Sequence, residues 1–184
     1  MLEDVAIQFA PSPQAVSNSQ APETKIDQAG VNQRNSEAQQ NRRGWQYTTW
    51  GMTPNEVKLA SQGTASENYN RGLDSGGYRV RLVAPYTSGQ LSFKAQFEFD
   101  EADHLRIVTL NYTGGGDCGP GVVFTLTSAY GPPQDRSETP NVVRIFKWWD
   151  NKSGNLVIFM EIGHGDSCSI KYSELPQAGR PGGL

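Results

Sequence analysis

The chain has no apolar run approaching the ~20 residues that a membrane-spanning helix requires, so no helical membrane span is expected. It also lacks a basic excess. Lys+Arg 16 stand against Asp+Glu 19, a formal charge of −3 and a pI near 5.4, which removes the electrostatic footprint of a nucleic-acid surface. Histidine and cysteine are scarce, two of each, leaving little material for metal or nucleophile chemistry. No serine sits in a G-x-S-x-G context and no G-K-[ST] follows a glycine run. Apolar residues themselves are few, 36%, with a mean hydropathy of −0.58. The polarity must therefore be concentrated if the remainder is to build a core. What the 184 residues do hold is turn material, Gly 20 and Pro 11, pointing to a fold richer in strands than in long helices.

Most of the polarity lies before residue 45. Pro11 to Gly44 is built from Gln, Asn, Ser, Ala and Pro, with Val16, Ile26 and Val31 as isolated large apolar side chains. Such a stretch buries too little to offset chain entropy of roughly 1–2 kcal/mol per residue, so 1–44 is expected to be a disordered arm. Met1 to Ala10 carries Leu2, Val5, Ile7 and Phe9 but also Glu3 and Asp4, without the basic start and apolar core of a signal peptide. Residues 177–184, rich in glycine, are expected to form a disordered tail. The folded part is then one domain over 45–176.

Within it, Thr53-Pro54-Asn55-Glu56 has the signature of a helix start. Thr53 can cap Glu56, Glu56 can reach back, Pro54 suits the first turn, and Met52 and Val57 suit a hydrophobic staple. Gly63 is a natural stop, which predicts a helix over 54–62. Leu91, Phe93, Ala95, Phe97 and Phe99 alternate with polar residues, predicting a strand with one buried face. Further strands are predicted at 78–83, 104–112, 142–149, 156–162 and 168–172. Pro120 to Tyr130 has β-branched residues but also Val122, Leu126 and Tyr130 at helical spacing before Gly131-Pro132-Pro133, which predicts a helix. The fold class that results is α+β, two-layer, an antiparallel sheet with two short helices on one face. The order helix, three strands, helix, three strands suggests tandem halves.

Trp50-Gly51-Met52-Thr53 with Val57, the Phe-rich hairpin, Leu126-x-x-x-Tyr130-Gly131-x-Pro133, Trp149 and Cys168-x-Ile170-x-Tyr172 together resemble small exported proteins of Gram-negative bacteria. Most of those are uncharacterised, and their layout is similar to the beta-lactamase-inhibitor-protein and BamE-like group. The resemblance spans about 48–174 and implies a noncatalytic envelope protein, periplasmic or secreted. The chain departs from that pattern in showing no export signal and no lipobox cysteine near residue 1.

Cys118 and Cys168 are expected to form one disulfide of an oxidising compartment, the alternatives being two unlinked structural thiols or a reactive thiol. Closing a loop of this length would stabilise by roughly 3–4 kcal/mol. A nucleophile reading would place Cys118 at a helix start with His164 as base, a small cysteine-dependent enzyme. His164, Asp166 and Cys168 alternate and could share a face, but three ligands within five residues crowd one ion, with His104 the only other histidine. No metal and no cofactor is expected. Gly114 to Gly119 contains a G-x-G-x-x-G spacing, which among alternating rather than continuously apolar strands is expected to be a crossover. Asn111-Tyr112-Thr113 and Asn151-Lys152-Ser153 match the glycosylation pattern by chance composition.

The aromatic residues remain. Trp148 and Trp149 are adjacent on a predicted strand and must point to opposite faces. One enters the core, and the other, with Tyr78, Tyr86 and Tyr112, either forms an exposed face that anchors a protein partner or is covered by a helix or by the segment around Trp45. The leading expectation is a noncatalytic protein-binding module of the bacterial cell envelope, not an enzyme. The alternatives are the cysteine-dependent enzyme on Cys118 and His164, and a proteinaceous enzyme inhibitor.

Overall fold

The computed structural model describes residues 44–69, 76–163, 165 and 167–176. The arm expected over 1–43 and the tail over 177–184 lie outside the described residues, as do His164 and Asp166. The described elements run α1 (Pro54–Ala60), β1 (Ser66–Glu67), β2 (Arg79–Ser88), β3 (Leu91–Phe99), β4 (Leu105–Tyr112), α2 (Gly119–Tyr130), β5 (Asp135–Thr139), β6 (Val143–Asp150), β7 (Asn155–Ile162) and β8 (Ser167–Glu174). The chain is α+β, and its strands form one antiparallel sheet in the order β1-β2-β3-β4-β8-β7-β6-β5.

α1 forms as its sequence dictates. The Thr53 hydroxyl accepts from the Glu56 amide, and the Glu56 carboxylate accepts from the Thr53 amide at 2.7 Å. The helix ends at Ala60, two residues short of the expected last helical residue, Gln62. Its cap at Ser61 donates backbone hydrogen bonds into the last turn, and Gly63 follows at φ +83. α2 confirms the helix reading of 120–130, with Val122 and Leu126 buried and Gly131 at φ +79 closing it.

The expectation of three strands after each helix is corrected to four. β1 and β5 were not legible, because neither Ser66-Glu67 nor Asp135-Arg136-Ser137-Glu138-Thr139 has an apolar stripe. Both sit at sheet edges, where polar and charged residues are tolerated and discourage further pairing. The strand expected over 78–83 also shifts. Tyr78 precedes β2, and β2 continues through Pro85 to Ser88. Among the described residues β1 pairs only with Leu82 and Val83, and no described strand lies beyond it along that side of β2, where proline's missing N–H costs no ladder bond.

Cross-strand register aligns Leu82, Ala84, Phe93, Ala95, Phe97, Val108, Leu110, Ile170, Tyr172, Val157, Phe159, Phe146 and Trp148 on one inner face. These side chains, Val57 of α1, and Val122 and Leu126 of α2 belong to a single buried cluster. Trp45 enters the same cluster edge-on against Tyr86 at 5.1 Å, near Phe97 and Tyr172. Asn155 fastens that leading segment to the start of β7, donating to the Gly44 carbonyl at 2.7 Å and accepting from the Trp50 indole at 3.0 Å.

Candidate interaction face

Trp148 and Trp149 do part to opposite faces. Trp148 is fully buried, and its indole N–H donates to the Gly131 carbonyl at 2.9 Å, tying β6 to the end of α2. Trp149 lies on the outer face and keeps 38% of its surface. The expectation that Tyr78, Tyr112 and a tryptophan share one exposed face is not met. Tyr112 pairs with Phe93 on the inner side, the rings 5.7 Å apart, because period-two register assigns it the parity of Val108 and Leu110. Tyr86 likewise packs on the inner side. Tyr78, outside any strand, is half-buried at the entry to β2. Of that set, Trp149 alone is on the outer face.

What accompanies Trp149 there is aliphatic. Register places Val143, Ile145 and Trp149 of β6 beside Ile162, Met160 and Leu156 of β7, with Ile158 between them. Met160 and Ile162 are 37% and 45% exposed, and Val142 beside them is exposed too. The rim is polar. Lys147 pairs with Asp135 of β5 at 2.8 Å, and Ser169, Lys171 and Ser173 of β8 lie on the other side. The patch thus has an apolar centre and a rim of hydroxyl and ammonium groups. The signal that marks it is the β7 sequence Leu156-Val157-Ile158-Phe159-Met160, apolar at both parities, which a strand with one wet face would not be. The Lys147 ammonium beside Asp135 holds that carboxyl below the usual aspartate range.

The outer face of the first four strands is different. It carries Ser92, Lys94, Gln96 and Glu98 of β3 between Ile107, Thr109 and Asn111 of β4 and Val80, Val83 and Pro85 of β2, so polar and apolar residues are mixed there. Glu98 is buried there and accepts a hydrogen bond from the Thr109 hydroxyl at 2.5 Å.

Cys118 and Cys168 are bonded to each other, with Cα atoms 6.2 Å apart, both buried. Of the three readings the disulfide is the one observed, and it leaves Cys118 without the thiol that a nucleophile needs. His164 and Asp166, the other residues proposed for nucleophile or metal chemistry, lie outside the described residues. Among the described residues no three His, Cys, Asp or Glu side chains converge as a metal site.

Next to the bridge, the Arg144 guanidinium donates to the buried Glu161 carboxylate at 2.6 Å. That contact raises the Arg144 pKa. The pair lies so close to the Gly119 α-carbon that a Cβ there would meet both side-chain ends, and the ion pair would have to shift to admit one. With Asp117 and Glu138, this pair lines a cleft of about 290 Å³ between the β5–β6 hairpin and the start of α2. The Asp117 carboxylate is used within the fold, accepting from the Gly119 amide at 2.9 Å. The glycine run Gly114 to Gly116 is an exposed loop between antiparallel β4 and α2.

No protein-family model and no curated protein matches this chain. Among solved structures, a DUF4309 family protein (YjgB) from Bacillus subtilis subsp. subtilis str. 168 is similar at a TM-score of 0.42 and 13% identity, over 78% of this chain and 94% of that one.

Proposed function

We propose that this chain is a noncatalytic protein-binding module of the cell envelope, and that the outer face of β6 and β7 around Trp149 is its docking surface. One observation carries the reading. Seven apolar side chains on two adjacent strands face away from the core, where a sheet face with no partner would be polar. The buried disulfide supports an oxidising, extracytoplasmic location, periplasmic or secreted. In this reading the molecule has two layers and is a tandem of two halves, each a helix followed by four strands. The meeting of β4 and β8 at mid-sheet supports that symmetry. A partner that is itself an enzyme would make the module an inhibitor.

The test is capture from an envelope extract by the full chain, compared with Trp149→Ser and Ile158→Ser. A partner retained by the parent and lost with both variants is the expected result. Capture indifferent to both substitutions would overturn the docking face.

A further inference from the structure

The apolar stripe of β6 and β7 runs from Leu156 to Ile162, about 20 Å at the rise of a strand. Its middle row places Ile158 between Lys147 and Lys171. Asp135 in the same row matches the charge of Lys147, so the net positive charge of the row is that of Lys171. A second copy docked by a two-fold axis through this row would bring like charges together. A strand with carboxylates beside alternating apolar residues would bring opposite ones.

The chain itself holds such a segment. Glu3 and Asp4 directly precede Val5, Ile7 and Phe9, and no other apolar triplet at period two occurs in residues 1–43. The tether is long enough. Asn155 holds the Gly44 carbonyl one residue from Leu156, at the end of the stripe. Residues 10–43, at up to ~3.3–3.6 Å each, reach several times the stripe's length. Attachment to the same chain also makes the encounter intramolecular, with an effective concentration that no free peptide matches at ordinary dilution.

We infer that residues 3–9 of this chain occupy the β6–β7 face in the absence of a partner, so that a partner must displace them. Val5, Ile7 and Phe9 meet the Ile145, Ile158 and Met160 side, and Glu3 and Asp4 lie toward Lys171. The inference rests on the reading of that face as a docking surface.

Met160, exposed on the stripe, is the reporter, and Met52, partly buried against the core on the other face, is the internal control. In full-length protein treated with dilute hydrogen peroxide, Met160 sulfoxide is expected to form ~3-fold or more faster once Val5, Ile7 and Phe9 are all changed to Ser, because a covered thioether reacts only in its uncovered fraction. The Met52 rate should not move. Equal Met160 rates in the two proteins would overturn the inference and leave the docking face to its own capture test. A photo-crosslinking phenylalanine analogue placed at position 9 is expected to join residues 143–162 within one molecule. Crosslinks between two copies, or to another face, would overturn it. Met160 protection together with capture indifferent to Trp149 would keep the self-covering segment and remove the docking function.

Discussion

α1 and α2 each precede four strands and each place side chains in the same buried cluster, yet they are held in different ways. α1 carries a complete capping box and contributes one buried residue, Val57. α2 is longer, but the Cys118 side chain makes no capping hydrogen bond. Its attachments are long-range: the bond from Cys118 to Cys168 of β8, the Trp148 indole on the Gly131 carbonyl, and the Arg144–Glu161 pair against Gly119. Local chemistry therefore specifies the first helix, and tertiary contacts hold the second. The outer faces differ in parallel, mainly polar over β3 and β4, with Ile107 the exception, and mainly apolar over β6 and β7, with Lys147 the exception.

The largest effect should come from separating the two neighbouring tryptophans of β6. Trp148→Ala removes a fully buried ring and leaves the Gly131 carbonyl without its donor. It should cost about 3–5 kcal/mol in denaturant unfolding. Trp149→Ala should cost well under that, because its ring is already partly in water. Comparable losses would mean that the outer face is packed rather than available.

Replacing both cysteines by alanine should lower stability by about 3–4 kcal/mol, the loss of a cross-link spanning 50 residues. Hydrogen exchange should rise first in α2 and β8. A uniform rise that includes α1 would break the contrast between locally and remotely held helices.

Thr53→Ala should cost about 1 kcal/mol, and its exchange effect should stay within α1.

The smallest effect is electrostatic. Asp135 titrates below the ordinary aspartate range because the Lys147 ammonium hydrogen-bonds it. A folded pKa depressed in this way contributes stability above the unfolded pKa, and that contribution is lost as pH falls through the folded value. Lys147→Met should shrink the difference in stability between neutral and acid pH. An unchanged acid slope would show that the exposed pair adds nothing. At the other end of the scale, burial pushes the Tyr172 phenol well above its usual value. Its stabilisation is present below the unfolded tyrosine pKa and lost as pH rises, so its absorbance change should coincide with alkaline unfolding. Titration of Tyr172 in the intact fold would contradict the buried inner face.

Much of the architecture was legible from local patterns. The capping box of α1, the Phe93–Phe99 alternation and the Tyr130-Gly131 stop each state a backbone preference that no distant residue needs to confirm. The edge strands β1 and β5 were not, since a strand whose residues are all polar has no period to read. The candidate face was legible only in part. Adjacent Trp148 and Trp149 had to diverge, but which one turned outward, and that Tyr112 joined the core, depended on register.

By itself, then, the sequence determined the α+β composition, both described helices and six of the eight strands, because capping and period-two burial are nearest-neighbour properties of the chain. The tertiary structure alone decided that β4 meets β8 at the centre of one sheet, that Cys118 reaches Cys168, and that the aliphatic side of β7 faces outward with Trp149. Those outcomes depend on which segments far apart in the chain bury surface together, and that free energy is written in no single stretch of residues.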